Sequence, residues 1–337
     1  MLLTKQTALL CAGLVLAFVV SWELYWRSQN VVLGYNDDDS RWAATRQLIY
    51  QSTPTRPVLI GSSRSKFDID LETWEQIVGQ KPIQLSLNGT SPRPVLTDLG
   101  NDPNFRGTLI VDVTEMLFFS PDRSFPEKEA LRRVHHYPHW SLSEQASFWI
   151  SEMLESRLVF LDEMNLSLGA FLKKLPIPNR PGAFGGPVFP REFEVVSPDR
   201  QSRMTLAFLA DTTLQNEVKQ VWVDVGKYVP MKPAVGAELL AILNATKRSV
   251  DQIRARGGRV IFLRTPSDGV MRQAEKALFP REKYWNRLLT HTQTTGIYFE
   301  DYPELRQFTC PEWSHLAPQD AITFTQNLIP VVRPLTR

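Results

Sequence analysis

The chain has 337 residues, of which 43% are hydrophobic and 10% aromatic. This composition is sufficient for one large domain or two small domains with a packed core. The formal net charge is only +2 and no run of lysine and arginine forms a basic stripe, which argues against a nucleic-acid-binding protein.

The first predicted element is an apolar helix near the amino terminus. Residues 6–22 carry no charge, which is at the short end of the length that spans a bilayer. Trp22, Tyr25 and Trp26 follow directly, as an interfacial aromatic belt would. A cleaved signal peptide is the alternative, but no small-x-small cleavage site precedes this bulky segment. We expect an uncleaved membrane anchor in residues 1–27, with residues 6–26 in contact with the bilayer.

Five short apolar runs after the anchor are typical of buried strands. They cover residues 58–61, 83–87, 109–113, 260–264 and 297–300. Most of their residues are β-branched or aromatic, and Gly or Pro lies next to several of their ends. Helical patterns at 71–79 and 237–258 separate some of these runs. Strands that alternate with helices predict a parallel α/β sheet.

The spacing of these elements predicts the domain organisation. Residues 28–53 have the character of a polar linker and a short helix, and residues 54–119 and 236–337 hold the predicted strands in two parts of one α/β domain. Residues 120–235 break the alternation, with a predicted helix from Ser141 to about Lys174 and a Pro- and Gly-rich loop at 176–190. We interpret them as an insertion over the edge of the sheet. One interpretation is that the apolar stripe of its helix packs on the core. The other is that the stripe forms a lid, or a surface that lies on the membrane.

Polar residues follow the carboxyl ends of the predicted strands, where open α/β sheets bind ligands. They are Ser62, Ser63 and Arg64 after the first strand, Asn88, Gly89, Thr90 and Ser91 after the second, and Thr114 and Glu115 after the third. Glu312 and His315 are three residues apart just before the last predicted helix. Each group also has an ordinary structural explanation. A Gly-Ser-Ser segment is common in turns, and Asn-Gly is a frequent turn dipeptide.

The order of these segments resembles that of the SGNH (GDSL-type) hydrolase superfamily. The Gly-x-Ser of its first block is matched by residues 61–63, the glycine of its second block by Gly89, and the Asp-x-x-His of its last block by Glu312 and His315. More closely, the chain is similar to little-described membrane-anchored bacterial proteins with a GSSR…NGTSP…SHL pattern. An α/β domain unrelated to this superfamily, in which Ser63 is only a turn residue, is the alternative.

The resemblance implies a three-layer α/β/α fold with a mainly parallel, five-stranded, flavodoxin-like sheet. It implies that Ser63 is the nucleophile, that His315 is its general base and that Glu312 orients the imidazole. The backbone amides of Ser63 and Gly89, together with Thr114, would form the oxyanion hole. Asp301, just past the last predicted strand, is the alternative acid if Glu312 points away.

Two positions depart from the pattern of the superfamily. Its third block normally supplies an asparagine to the oxyanion hole, whereas this chain has Thr114 and Glu115. Loss of one oxyanion donor typically lowers the rate by roughly 100- to 1000-fold. Thr114 could replace the asparagine only if its hydroxyl points into the site. The acid of the triad is also Glu312 where most members have aspartate.

The resemblance implies chemistry at ester bonds of the cell envelope. The expected function is a membrane-anchored serine esterase or O-acyltransferase that acts on an acylated glycan or other envelope polymer. A non-catalytic SGNH-like scaffold, which binds an envelope polymer or a membrane acyltransferase, is the alternative. Arg64, Asn88 and Arg264 are the candidate substrate-binding residues. The expected location is the bacterial inner membrane, with a single span and the soluble domain on the periplasmic side.

The sequence gives no indication of a cofactor or a metal site. His135, His136 and His139 lie close together, but Pro138 interrupts a helix there. No cysteine or carboxylate joins them at a spacing typical of metal ligands. We therefore expect neither a metal nor a cofactor, and no nucleic-acid partner.

Overall fold

The computed structural model describes residues 4–51, 56–121, 125–175, 188–228 and 232–335. Its strands are β1 Val58–Ile60, β2 Ile83–Gln84, β3 Thr108–Asp112, β4 Val195–Val196, β5 Ser202–Arg203, β6 Arg259–Arg264 and β7 Thr295–Tyr298. The helices of the first half are α1 Lys5–Ser28, α2 Asp39–Gln51, α3 Ser63–Asp68, α4 Leu71–Val78, α5 Arg93–Asn101, α6 Glu115–Phe118, α7 Phe125–His136, α8 Leu142–Glu155, α9 Glu163–Leu166 and α10 Leu168–Lys174. Those of the second half are α11 Leu206–Ala210, α12 Thr212–Tyr228, α13 Gly236–Ala255, α14 Gly269–Leu278, α15 Trp285–Thr292 and α16 Pro318–Val332.

Five of the strands form one parallel sheet in the order β2-β1-β3-β6-β7. This confirms the predicted α/β class and the parallel pairing. From β1 the chain adds β2 on one side of the sheet, and it then adds β3, β6 and β7 in turn on the other side. The strand order therefore reverses between β1 and β3, and the carboxyl ends of these two strands border the crevice where open α/β sheets bind ligands. The remaining strands, β4 and β5, form an antiparallel pair within the predicted insertion.

Both faces of the parallel sheet are buried. Leu59 and Ile110 pack in one hydrophobic cluster with residues of α4 and α16. Ile60 and Val111 point the other way, into a cluster with residues of α5 and α13. Strands buried on both faces need continuous apolar sequence, which is why these short runs were recognisable. Each fully buried aliphatic side chain contributes roughly 1.5–3 kcal/mol relative to an exposed one.

Local signals define the two helices that the sequence predicts most clearly. The side chain of Asp70 accepts a hydrogen bond from the amide of Thr73 at the start of α4, and Gly79 ends that helix with a φ of 85°. Glycine adopts this left-handed conformation without strain. Helix α13 ends at Ala255, just before Gly257, whose φ is also 85°. The predictions for residues 71–79 and 237–258 are confirmed, with α13 ending three residues earlier than expected.

The predicted continuous helix from Ser141 to about Lys174 is wrong. The structure divides this stretch into α8, a short 3-10 helix at Val159–Leu161, α9 and α10. Asp162 and Ser167 have extended backbones, and their side chains cap the amides of Asn165 and Ala170. Each cap starts a new helix and so interrupts the previous one. The apolar periodicity across the whole stretch concealed these two breaks.

Helix α1 is long and apolar enough, by length and composition, to cross a membrane. Its 24 residues correspond to roughly 36 Å, more than the ~30 Å of a bilayer core. The last turns of α1 contact the insertion. The ring of Trp26 stacks on Phe171 at 5.9 Å, and the Glu23 carboxylate accepts a hydrogen bond from the amide of Val159 at 3.2 Å.

Candidate catalytic site

Ser63 is placed by the close approach of β1 and β3. A Cβ atom at Gly61 would lie 2.7 Å from the Cβ of Asp112, so only glycine allows this approach after β1. The next residue, Ser62, caps α3, because its hydroxyl accepts a hydrogen bond from the amide of Arg64 at 3.4 Å. Ser63 is therefore the first residue of α3, at the carboxyl edge of the sheet, and its side chain is half-buried.

The structure brings Ser63, His315 and Glu312 into one hydrogen-bonded series. The Oγ of Ser63 lies 2.8 Å from Nε2 of His315, and Nδ1 of the same ring lies 2.9 Å from Oε1 of Glu312. A carboxylate can only accept, so we assign the proton to Nδ1, which leaves Nε2 to accept from the serine hydroxyl. This tautomer is the one that a general base facing a serine requires.

The carboxylate of Glu312 is fully buried, yet each of its oxygens has donors. Oε1 accepts from the amides of Ser314 at 3.2 Å and His315 at 2.6 Å as well as from the imidazole. Oε2 accepts from the indole N–H of Trp222 at 2.5 Å. Burial of an unpaired charge costs several kcal/mol, so these donors are what allow an ionised carboxylate behind the imidazole.

A left-handed residue folds the turn between Glu312 and His315. Trp313 has a φ of 78°, a conformation that costs a residue with a Cβ about 1–2 kcal/mol. Its carbonyl accepts from the amide of Asp268 at 2.8 Å, and its ring lies where a side chain at Gly269 would be. The loop before α14 therefore holds the turn that presents both candidate catalytic side chains on the same side.

Helix α3 is attached to the histidine segment at both of its ends. Ser63 contacts His315 at the first residue, and Oδ1 of Asp68 accepts from the amide of Leu316 at 2.9 Å at the last. Burial raises the pKa of Asp68 well above its usual value, which favours its protonated form. These two contacts fix the distance between the serine and the imidazole.

Aromatic side chains surround the imidazole on the side of the insertion. The ring of Phe67 lies 4.4 Å from that of His315, and Phe193 and Trp222 follow at 5.9 Å and 6.0 Å. Phe67 belongs to α3, whereas Phe193 and Trp222 come from the insertion. The insertion therefore contributes directly to the walls of the site and does not merely lie beside the sheet. We call Phe67, Phe193 and Trp222 the aromatic wall.

A cleft of about 510 Å³ lies beyond the aromatic wall. Phe189 lines this cleft and stacks on Phe193 at 5.2 Å, and Phe193 in turn lies 5.9 Å from the imidazole. Trp26 of α1 and Lys173 and Lys174 of α10 line the same cleft. The cleft therefore shares a lining residue with the end of the apolar helix α1, and another with the aromatic residues next to the candidate catalytic site.

Two candidate oxyanion donors lie at the same edge of the sheet. The amide of Leu87 donates to the carbonyl of Gly61 at 3.1 Å, so Ser63 and Gly89 each follow this bonded pair by two residues on neighbouring segments. Gly89 is exposed and has a φ of 65° in a turn closed by the amide of Thr90 on the carbonyl of Leu87. This turn explains the need for glycine and leaves the backbone accessible.

The Thr114 hydroxyl is engaged by the residue before Ser63. It makes a hydrogen bond with the hydroxyl of Ser62 at 2.7 Å and is buried. The next residue, Glu115, is buried too and receives the guanidinium of Arg264 at 3.0 Å on both oxygens. Thr114 and Glu115, which follow β3 where the asparagine was expected, thus both make structural contacts.

The structure places Arg64 and Arg264 in a buried ionic cluster. Nη2 of Arg64 contacts Oε1 of Glu275 at 2.5 Å, and Arg264 bonds the other oxygen of the same carboxylate. Burial alone would raise the pKa of Glu275, but the two guanidinium groups lower it to about 2. Both arginines are almost fully buried, so the geometry supports a structural role for them and not the expected contact with a substrate.

Asn88 and Asp301 are the remaining candidates from the sequence, and each makes a contact of its own. The side-chain amide of Asn88 donates to both oxygens of Glu194, at 2.9 Å and 3.1 Å, on the exposed rim of the site. Asp301, the alternative acid, forms an exposed ion pair with Arg281 at 2.6 Å. Because Glu312 faces the imidazole, the triad geometry does not need Asp301.

The cluster of histidines does not form a metal-binding group in the part of the chain that the structure describes. The rings of His135 and His139 stack at 4.9 Å, and Nδ1 of His139 hydrogen-bonds to the carbonyl of His135 at 2.8 Å. These contacts continue the end of α7 into the following 3-10 helix at Tyr137–His139.

Sequence reasoning missed the three residues of the aromatic wall and Asp68, which contact His315, Glu312 or the residue next to them. Trp222 and Glu312 are 90 residues apart, so no local pattern links them. Only Phe67 had a usable signal, because a residue four positions after Ser63 lies on the same side of a helix.

Comparison with known proteins identified no family. No protein-family model matches the chain, and no curated protein has a matching sequence. The SGNH resemblance therefore stays a prediction from the ordered sequence blocks.

Proposed function

We propose that the protein is a serine esterase or O-acyltransferase that acts on an acyl ester of a cell-envelope glycan or other polymer. The hydrogen-bonded series from Ser63 through His315 to Glu312 is the observation that supports this proposal most directly. A serine hydroxyl is a weak nucleophile alone, and a base within hydrogen-bond reach is what activates it.

The proposed reaction has two halves. In the first, Oγ of Ser63 attacks the ester carbonyl while Nε2 of His315 takes the hydroxyl proton, and the imidazolium then gives that proton to the leaving alcohol. In the second, His315 takes a proton from water or from a sugar hydroxyl, which attacks the acyl group on Ser63. The bond from the acyl carbon to Oγ then breaks, and the imidazolium returns its proton to Oγ of Ser63. Glu312 holds the ring and stabilises its positive charge in both halves. Water as acceptor gives hydrolysis, and a sugar hydroxyl gives acyl transfer.

The oxyanion of each tetrahedral intermediate would be held by the backbone amides of Ser63 and Gly89. Their positions at one edge of the sheet support this assignment. Backbone donors of this kind are preorganised, so they stabilise developing charge without reorganisation during the reaction. The exposure of Gly89 agrees with a substrate approaching from that side.

The predicted location in the membrane and the predicted three-layer fold are part of the same proposal. Helix α1 would be an uncleaved single span in a bacterial inner membrane, with the rest of the chain on the periplasmic side and in three layers, as in SGNH domains. The contacts of Trp26 and Glu23 with the insertion support retention of α1, because a cleaved leader has no need to pack against the mature chain.

A non-catalytic scaffold that binds an envelope polymer or a membrane acyltransferase is the second candidate. The hydrogen bond between Thr114 and Ser62 favours it, because this contact engages the side chain that would replace the missing asparagine donor. The intact Ser63, His315 and Glu312 series favours the enzyme, since a scaffold does not require that geometry.

The test is turnover of acyl esters by the purified full chain in detergent micelles. Release of p-nitrophenol from p-nitrophenyl acetate is compared among wild type, Ser63→Ala, His315→Ala and Ser65→Ala. Ser65 is a matched control, because it lies in the same helix and its buried hydroxyl has no hydrogen-bond partner among the described residues. We expect both triad variants to lose at least roughly 1000-fold in rate and the control to keep its rate.

Two results would contradict the proposal. One is a wild-type rate equal to that of buffer, which would favour the scaffold. The other is a Ser63→Ala variant as active as wild type. If turnover is present, acetate release from an O-acetylated polysaccharide and acetyl transfer to added saccharide separate the hydrolase from the transferase.

A further inference from the structure

The insertion exposes an apolar surface that nothing in the described structure covers. Six side chains of α8, α9 and α10 are between 51% and 75% exposed. They are Trp149, Ile150, Met153, Met164, Leu168 and Leu172, and we call them the apolar face. An apolar patch of this extent on a soluble surface usually marks a contact with another molecule or a membrane.

The side of α8 that lies opposite the apolar face packs against the rest of the protein. Glu155 is buried and accepts from Arg41 at 2.7 Å, and Phe148 is buried as well. Glu152 on the same side bonds Arg41 at 2.6 Å. The helix is therefore fixed in rotation, and the apolar face cannot turn inward without breaking these buried ion pairs.

The helices that carry the apolar face, and the 3-10 helix at Val159–Leu161 between them, contact the end of α1. Phe171 of α10 stacks on Trp26, and Val159 and Leu166 pack in one cluster with Trp26 and Val31. A guanidinium nitrogen of Arg27 also donates to the carbonyl of Arg157, at 2.7 Å, close to the end of α8. A bilayer crossed by α1 would reach its interface at these residues, because Trp22, Tyr25 and Trp26 are the aromatic belt of that helix.

Basic side chains lie at the ends of the same helices. Lys173 and Lys174 end α10 and Arg157 follows α8, while Arg27 lies in the last turn of α1 and pairs with Glu23 at 2.6 Å; all four are exposed. An apolar surface bordered by lysine and arginine is the pattern of helices that lie in the plane of an anionic membrane. Glu163 is an exposed carboxylate in the same region and offsets part of this charge.

We propose that the apolar face lies at the boundary between headgroups and acyl chains of the bilayer that α1 crosses. The protein is then held by one span and by a second, in-plane surface, so the folded part has a fixed orientation on the membrane. The cleft beyond the aromatic wall shares Trp26, Lys173 and Lys174 with this region and lies next to the headgroups. The proposal concerns lipid contact alone and does not depend on chemistry at Ser63.

Single cysteine variants of the full chain test this placement. Cys11→Ala removes the exposed native thiol, while Cys310 is buried. Met153→Cys and Leu168→Cys report on the apolar face, and Val270→Cys is the matched control, because Val270 is equally exposed at 54% but lies on α14. Each variant carries an NBD fluorophore and is reconstituted into vesicles of phosphatidylcholine and phosphatidylglycerol.

We expect blue-shifted emission at positions 153 and 168, and strong quenching there by lipids with a nitroxide near the headgroup, at a depth of about 5–10 Å. The label at position 270 should report water and little quenching. Labels at 153 and 168 that behave like the one at 270 would overturn the proposal. Labels that are shielded from water but not quenched by the lipid nitroxide would overturn it too, since a second protein or a second copy would then cover the face. Unchanged thermal unfolding shows that each variant is folded.

Discussion

Glu312 shows at the scale of one residue how a glutamate can lie behind an imidazole, in the place where the predicted SGNH pattern has aspartate. Its carboxylate is fully buried and accepts from the imidazole, two backbone amides and the indole of Trp222. A glutamate is one methylene longer than an aspartate, so its carboxylate reaches beyond its own turn to the indole. The substitution is therefore compatible with the geometry of a triad.

Glu312→Gln tests the charge of this group without removing its shape. We expect kcat to fall by roughly 1000- to 10,000-fold with little change in KM, because an amide favours the wrong imidazole tautomer and does not stabilise the imidazolium. Steady-state kinetics with p-nitrophenyl acetate measure the effect. Retention of more than a tenth of the wild-type kcat would show that Glu312 does not act through His315.

Asp112→Asn tests the titration of the buried carboxyl group at the end of β3. Burial raises the pKa of Asp112 to about 6, with Arg64, a hydrogen bond from Thr265 and Arg264 opposing part of the effect. The folded-state pKa lies above the unfolded value of ~3.9, so the stabilisation is complete below about pH 4 and is lost as the pH rises through 6. We expect the free energy of unfolding of wild type to fall, relative to that of the variant, by up to about 3 kcal/mol between pH 4 and pH 7.5.

Urea unfolding of both proteins in the same detergent at several pH values provides this comparison. A difference between wild type and Asp112→Asn that stays constant with pH would contradict the assignment of a raised pKa. The hydrogen bond from the Thr265 hydroxyl at 3.0 Å is available to either side chain, so its loss does not explain a pH-dependent difference.

At the scale of elements, two separate parts of the chain build the site. Helix α3 and the turn before α16 supply Ser63 and His315, and the contact of Asp68 with Leu316 holds them together. Helix α12 of the insertion supplies Trp222, which closes the far side of the carboxylate. The insertion is therefore part of the candidate site, and changes in it should alter the chemistry.

Trp222→Phe removes the indole donor and keeps most of the ring. A hydrogen bond to a charged group contributes about 1.5–3 kcal/mol, so we expect kcat to fall by roughly 10- to 100-fold while KM stays within about twofold. Trp149→Phe makes the same chemical change on an exposed part of the insertion and should leave kcat in micelles unchanged. Equal rates for the two variants would mean that Trp222 packs against the site without positioning Glu312.

The sequence predicts the sheet well, because parallel strands buried on both faces carry continuous apolar runs. It also indicates Ser63 and Gly89, which follow predicted strands, and it indicates Glu312 and His315 through the resemblance of the ordered blocks to SGNH hydrolases. The breaks between α8 and α10 were missed because the caps of Asp162 and Ser167 are weak signals inside a strong helical periodicity. The position of Arg64 was equally hidden, since its partner Glu275 is 211 residues away and the sequence does not show which charges meet.

At the scale of the whole molecule, a short segment after α1 ties the distant parts together. Asp37 is bonded by Arg200 of the insertion and by Lys66 of α3, both at 2.6 Å. Arg200 also donates to the carbonyl of Ser86, next to the second strand. The predicted linker thus has a buried ionic contact at its centre, and α1 is joined to the folded part through fixed contacts.

Asp37→Asn tests this junction. Burial would raise the pKa of Asp37, but Arg200 and Lys66 hold it well below its usual range. With a lowered folded-state pKa, its stabilisation is present above about pH 4 and is lost as the pH falls below that value. We expect the variant to lose roughly 3–5 kcal/mol of unfolding free energy at pH 7, because two buried cations lose their partner.

Asp38→Asn is the matched control for that change. Asp38 is exposed and its side chain accepts from the amide of Arg41 at 2.7 Å, a cap that asparagine provides equally well. Denaturant unfolding at pH 7 compares the two variants with wild type. Similar stabilities for Asp37→Asn and Asp38→Asn would show that the buried contact does not join these segments.

The activated state of Ser63 is the central claim, and covalent labelling measures it most directly. The full chain in micelles is treated with a fluorophosphonate probe, and the modified residue is identified by mass spectrometry in wild type, Ser63→Ala, His315→Ala and Ser65→Ala. We predict a single adduct on Ser63 that is retained in the Ser65 variant and lost in the other two. A folded wild-type protein that takes up no probe, or an adduct on Ser63 that forms equally fast without His315, would contradict the claim.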